Sequence, residues 1–161
     1  MRFVVVALAL AVGCQSSDKA APPPPPAGKL ELVDAPITPP GQTPAVWIAG
    51  EVARAQHDGK RAIVYVGAPW CEPCQQFHAA AEAGKLDEVF PTLRVLVFDN
   101  DRDGDALERV GYRSQLIPLF ALPKPDGTSS GKQIEGSVKG ADAVKQISPR
   151  LEALLAGPSG A

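Results

Sequence analysis

Residues 68–77, APWCEPCQQF, hold the residue types and spacing that point most directly to chemistry. Cys71 and Cys74 enclose Glu72 and Pro73, and Trp70 stands in front of them. Such a pair admits three uses: a structural disulfide, half of a metal site, or a reversible redox couple. A disulfide across so short a loop constrains the unfolded chain little, which argues against a purely structural bond. A structural zinc site takes four ligands. The chain has no second CxxC, and its two histidines are His57 and His78. His78 follows Cys74 by four residues, so a Cys-Cys-His cluster on one helix face is conceivable but incomplete. His78 reads more simply as a surface or boundary residue. No metal and no cofactor is expected.

The flanking elements favour the redox use. RAIVYV (61–66) is a β-branched apolar run suited to a buried strand. The alanine-rich segment QQFHAAAEAG, ending at Gly84, reads as a helix that begins near Cys71. A cysteine at a helix N-terminus faces unpaired backbone N–H groups and the positive end of the helix dipole. Both favour the thiolate, which is the nucleophile. Cys71 is therefore expected to be exposed and to attack, and Cys74 to be more buried and to resolve the mixed disulfide. Pro73 suits an early helical position.

The elements that must position this pair follow in order. Lys29–Val33 is a candidate edge strand. Thr43-Pro44 reads as an N-cap with proline at the first helical position, and Ile48, Val52 and Ala55 recur at helical spacing up to Gly59. LRVLVFD (93–99) is a second buried strand, DGDALERVG (103–111) a short helix, LFAL (119–122) a third strand and KQIEG (132–136) a fourth, after a turn at 125–131. Val144, Ile147, Leu151, Leu154 and Leu155 mark a terminal helix, which Pro149 should kink or split, with Ser148 as a cap for the second piece. Strand-helix-strand followed by a hairpin and a helix predicts an α/β sandwich. Its central strands should be buried on both faces.

The chain of 161 residues suits one domain with accessories, and a net charge of −2 without a basic stripe excludes a nucleic-acid groove. Residues 1–13 read as a signal peptide: Arg2, an apolar run from Phe3 to Val12, then Gly13. Ala11-Val12-Gly13-Cys14 resembles a bacterial lipobox, with Ala11 where leucine is commoner, which implies lipidation of Cys14. That leaves Cys71 and Cys74 as the remaining pair of three cysteines. Residues 14–42, with prolines 22–26, read as a Pro-rich tether that reaches roughly 85 Å when extended. A domain of 43–157 follows.

The stretch APWCEPC after a hydrophobic strand resembles the active site of the thioredoxin superfamily, whose pattern is Trp-Cys-x-x-Cys. A second marker is Ile117-Pro118, with Pro118 placed 44 residues after Cys74. The resemblance spans roughly residues 43–156 and implies a three-layer sandwich with a central mixed sheet flanked by helices. It also implies a cis bond before Pro118, and a substrate strand that pairs with the backbone of Ile117 beside Cys71 and Trp70. Departures are informative. The family carries a buried Asp six residues before the first cysteine, where this chain has Tyr65, so a proton acceptor for Cys74 is missing from its usual place. Glu-Pro between the cysteines is similar to extracytoplasmic ResA/TlpA-like reductases, yet the gap from Cys74 to Pro118 is too short for their insertion. GKRAIVYVGAPWCEPCQQF also resembles the periplasmic domain of DsbD-type proteins.

Glu72 disfavours a nearby thiolate by like-charge repulsion, and Pro73 stands where the strong oxidant DsbA has histidine. Both push the pair towards a reductant. The expected function is a protein thiol–disulfide oxidoreductase tethered in the bacterial envelope and facing the periplasm. Its partners would be a protein disulfide substrate, an upstream membrane thiol electron donor and, through the lipid, the membrane. Gln15 after Cys14, in place of Asp, points to the outer membrane. Two alternatives stand beside it: a copper(I)-carrying module, since thiolates suit soft metals, and a non-catalytic docking lipoprotein.

Overall fold

The apolar run RAIVYV alternates between two sides of a sheet and is buried on both. The computed structural model describes residues 28–39 and 42–157. In chain order these form β1 (Glu31–Asp34), α1 (Pro44–His57), β2 (Arg61–Gly67), α2 (Glu72–Glu82) and β3 (Leu93–Asp99). They continue with α3 (Asn100–Arg109), β4 (Leu119–Pro123), β5 (Ser129–Glu135) and α4 (Ala143–Ala156). The strands make one mixed sheet in the order β1-β3-β2-β4-β5. Strands β1, β3 and β2 are parallel, whereas β4 runs antiparallel to both β2 and β5.

Two apolar layers cover the sheet. Ile63 and Tyr65 of β2, Val95 of β3 and Phe120 of β4 pack with Phe77 of α2 and with Ile147 and Leu151 of α4. On the other face, Val64, Leu96, Phe98 and Ala121 pack with Ile48 and Val52 of α1 and Leu107 of α3. The period-2 alternation of strand side chains sends successive apolar residues to opposite layers, so a run without polar positions needs helices on both sides. The result is the thioredoxin-like three-layer sandwich that the sequence implies.

Local signals act where expected at α1. Thr43 Oγ1 accepts the Ala45 N–H at 3.1 Å, and Pro44 occupies the first turn. Helix α3 begins earlier than the segment 103–111 suggests. Asp99 caps it by accepting the N–H groups of Asp101 and Arg102, which recruits the polar residues 100–102 into the first turn. The folded unit also begins before residue 43. Strand β1 lies within the stretch read as tether, because Glu31–Asp34 pairs with β3 and buried Leu30 joins the core. Lys60 Nζ and Arg94 Nε donate to the Glu31 carboxylate at 2.6 and 2.9 Å and fasten this edge.

Helix α4 is neither split nor capped at Ser148. It runs through Pro149, and Ser148 Oγ donates back to the Val144 carbonyl at 2.9 Å. Ile147 and Leu151, both buried, hold the two sides of the proline against one layer of core. The signal peptide, Cys14 and prolines 22–26 lie outside the described residues.

The turn between β4 and β5 meets α1 closely. Gly127 has φ +80°, and a Cβ there would run into the Ala45 carbonyl; Gly131 has φ +78° with open space around it. Replacing Gly131 by Ala should cost about 1–2 kcal/mol, the ordinary penalty of a left-handed residue. Gly127→Ala adds a backbone collision and should cost clearly more, which urea unfolding of the two variants compares directly.

Candidate active site

Strand β2 ends at Gly67, beside Asp99 at the end of β3. The chain turns through Ala68, Pro69 and Trp70 and enters α2 with Cys71 as its N-cap. Capping orients the sulfur: the Cys74 N–H donates to Cys71 Sγ at 3.3 Å. Pro73 sits in the first turn and brings no N–H of its own, so it is tolerated there. Cys71 and Cys74 are joined as a disulfide with Cα atoms 5.2 Å apart. The spacing therefore places both sulfurs at the positive end of α2, as the sequence suggests.

The expected exposure of Cys71 is corrected. Cys71 is 5% exposed and Cys74 2%, because the Cys71 sulfur turns over the first helical turn to meet Cys74. Trp70 next to it is 66% exposed, and its indole N–H is held by Asp101 Oδ2 of α3 at 2.8 Å. Gln75 Nε2 donates to the Pro69 carbonyl and closes the turn from the other side.

The bond between Ile117 and Pro118 is cis. Ile117 packs against the same apolar cluster that contains Cys71 and Cys74. The Pro118 carbonyl accepts the Gly136 N–H at 2.9 Å, which ties this segment to the residues after β5. Leu116 lies against Gly136, and the chain from there reaches Gly140, whose N–H donates to Glu72 Oε1 at 3.1 Å. Trp70, Leu116 and Val138 are exposed apolar side chains on the segments that frame the disulfide. Glu72 itself is exposed, and its carboxylate is directed to Gly140. Solvent screening therefore weakens the repulsion expected between Glu72 and a Cys71 thiolate.

Tyr65 stands where the resemblance would place an acid. It is 1% exposed and is enclosed by Phe77, His78 and Phe120, with ring centroids 5.0–5.5 Å away. Burial pushes its phenol well above the usual range, so it stays protonated. Its hydroxyl has no hydrogen-bond partner among the described residues. Gly67 makes room for it, since a Cβ at 67 would strike the Tyr65 hydroxyl. Tyr65 also lines a cavity of about 490 Å³, together with Gly67, Cys74, His78, Asp99 and Arg102.

The sequence reading missed Gly67, Asp101 and the inward aspect of His78. Helical i, i+4 spacing from Cys74 was the available signal for His78. Among the described residues no cluster of His, Cys, Asp or Glu could hold a metal ion.

Burial lowers the pKa of His78 below its ordinary 6.5, and the carboxylates of Glu82 and Asp34 offset this in part. The unfolded chain then binds a proton at this residue more readily than the folded one. Stability is complete above about pH 6.5 and declines as pH falls through the lowered folded value. Thermal unfolding midpoints from about pH 7 to about pH 5 should fall further for the wild-type chain than for His78→Gln.

No family model matches the chain, and no curated protein matches it. Solved structures similar to it include thioredoxin f from spinach chloroplast in its short form, 23% identical, with 81% of this chain and 94% of that chain covered and a TM-score of 0.44. A poplar thioredoxin h is 20% identical over 81% of this chain and 99% of its own, with a TM-score of 0.43. Thioredoxin from Trypanosoma brucei brucei is 18% identical over 79% and 93%, with a TM-score of 0.42.

Proposed function

We infer that this protein is a thiol–disulfide oxidoreductase that reduces protein disulfides through Cys71 and Cys74. The observation that carries the reading is the Cys74 N–H directed at Cys71 Sγ at the N-terminus of α2, with the second sulfur buried behind it. A backbone donor and a helix dipole at one sulfur stabilise its thiolate, and that is the nucleophile for disulfide exchange. In the reduced enzyme Cys71 attacks a substrate disulfide, one substrate sulfur leaves as a thiol, and a mixed disulfide forms. Cys74 then displaces the second substrate sulfur and restores the Cys71–Cys74 bond.

A polypeptide substrate suits the exposed apolar frame of Trp70, Leu116 and Val138 around the pair. Ile117 and Pro118, carried over from the family pattern, would receive the substrate as an added strand.

Direction follows from what stabilises the thiolate. Glu72 is turned to Gly140 and adds little. Pro73 contributes neither a charge nor an N–H beside the sulfurs, so the reduced pair gains less stabilisation than one with histidine there. A more negative potential results, and hence reduction of substrates.

The setting rests on the sequence alone. Cys14 in its lipobox-like context would anchor the chain, with the Pro-rich stretch holding the domain away from the bilayer of the bacterial envelope. Several acyl chains would make that anchoring stable. No helix among the described residues is long and apolar enough to cross a membrane. In an oxidising compartment the spent disulfide needs a membrane thiol donor to re-reduce it.

Purified protein should reduce insulin disulfides with dithiothreitol as donor, and Cys71→Ala should lower the rate at least a hundredfold. Full activity in Cys71→Ala would end this reading. Equilibration against glutathione should give a potential closer to thioredoxin, about −270 mV, than to DsbA, about −120 mV. A value near the latter would reverse the direction.

A further inference from the structure

The two sulfurs face different surroundings. Cys74, but not Cys71, lines the cavity of about 490 Å³ on the inner side of α2. Resolving a mixed disulfide requires Cys74 to lose its proton, yet a thiol 2% exposed among apolar side chains resists ionisation. A group on the cavity side is placed to receive that proton.

Elements β1, β2, β3, α2 and α3 bring titratable or charged groups to the cavity. From α3, Arg102 is a cation with no proton to accept, and its Nη2 and Nε are engaged by Asp103 and the Ala35 carbonyl. Asp99 at the end of β3 is committed to capping α3 through its Oδ1. Asp34 of β1 is exposed at the rim, in solvent. Tyr65 of β2 is protonated and can only pass a proton along. From α2 itself come Cys74 and, one turn on, half-buried His78 on the same face.

We propose that His78 is the proton acceptor for Cys74, reached through water in the cavity that both residues line. This rests on the redox reading above and adds the residue that completes its second step. The cavity is open to solvent, and Gln75, His78, Asp99 and Arg102 place polar groups along its mainly apolar lining, so water can enter it. Burial keeps His78 neutral at pH 7, ready to accept, and the carboxylates of Asp34 and Glu82 steady the imidazolium that forms. The Tyr65 ring lies edge-on to the imidazole with centroids 5.0 Å apart and fixes its plane.

The Cys74 S–H proton passes to an imidazole nitrogen of His78. Cys74 Sγ forms a bond to Cys71 Sγ, and the bond between Cys71 Sγ and the substrate sulfur breaks. The electron pair leaves on that substrate sulfur, which takes a proton from solvent. The substrate disulfide has gained two electrons and the enzyme dithiol has lost two.

The test is a single-turnover reaction of reduced full-length protein, in excess, with 5,5′-dithiobis(2-nitrobenzoate). Attack by Cys71 releases the first nitrothiobenzoate, and resolution by Cys74 releases the second. In the wild type the second phase should accelerate with pH through an inflection below the ordinary histidine value. His78→Asn and His78→Gln should slow the second phase at least tenfold, remove that inflection, and change the first phase less than twofold. In His78→Ala, added imidazole should restore the second phase at least threefold. The proposal is overturned if the second phase stays within twofold of wild type, if both phases slow together, or if imidazole restores nothing. A wild-type protein that releases one equivalent only, with insulin reduction indifferent to Cys71→Ala, would instead refute the redox reading itself and this inference with it.

Discussion

Strand β2 has water on neither face, and the rest of the molecule is arranged around that constraint. Ile63 and Tyr65 must be covered from one side, Ala62, Val64 and Val66 from the other. Parallel pairing with β3 on one edge and antiparallel pairing with β4 on the other leave β2 central, and helices supply both lids. The segment that leaves the C-terminal end of β2 then enters the helix that covers Tyr65. Phe77 of that helix stacks on Tyr65 and meets Phe120 edge-on. The position of the cysteine pair is thus a by-product of burying β2.

At the site, geometry and electrostatics do different work. The N-cap role of Cys71 brings its sulfur to a backbone donor, and the family of interactions that would stabilise a thiolate further is thin. Pro73 removes an N–H, and Glu72 serves to hold the loop at Gly140. The link from Glu72 to Gly140 spans 68 residues and joins the start of α2 to the approach to α4. Arg150 of α4 donates to the Gly136 and Glu135 carbonyls at 2.7 and 2.8 Å and steadies the same approach. Glu72, read from sequence as an electrostatic tuner, also ties the start of α2 to this loop.

Behind the sulfurs, Tyr65 and Gly67 form a matched pair: the ring fills the core while the missing side chain leaves its hydroxyl a place to go. Tyr65 also lines a cavity that reaches Cys74. Both cysteines are nearly buried in the disulfide, and they differ in their surroundings: Cys74 lines this cavity and Cys71 does not.

The sequence by itself determined the order of elements, the double burial of the central strands, the Thr43-Pro44 start of α1 and the placement of Cys71 at a helix N-terminus. Each is a local signal: a period, a cap or a spacing within a few residues of chain. Only the tertiary structure decided that β1 pairs with β3, that α4 continues through Pro149, that Cys71 is covered, and that Glu72 turns to Gly140. It also decided that His78 shares a cavity with Tyr65 and Cys74. These features depend on partners far away in the chain. Leu30 N–H reaches Asp87 across 57 residues, and Trp70 reaches Asp101 across 31. Propensity and periodicity carry no information about which distant side chain will be opposite. That information exists only once apolar burial has stacked the layers and fixed which residues face one another.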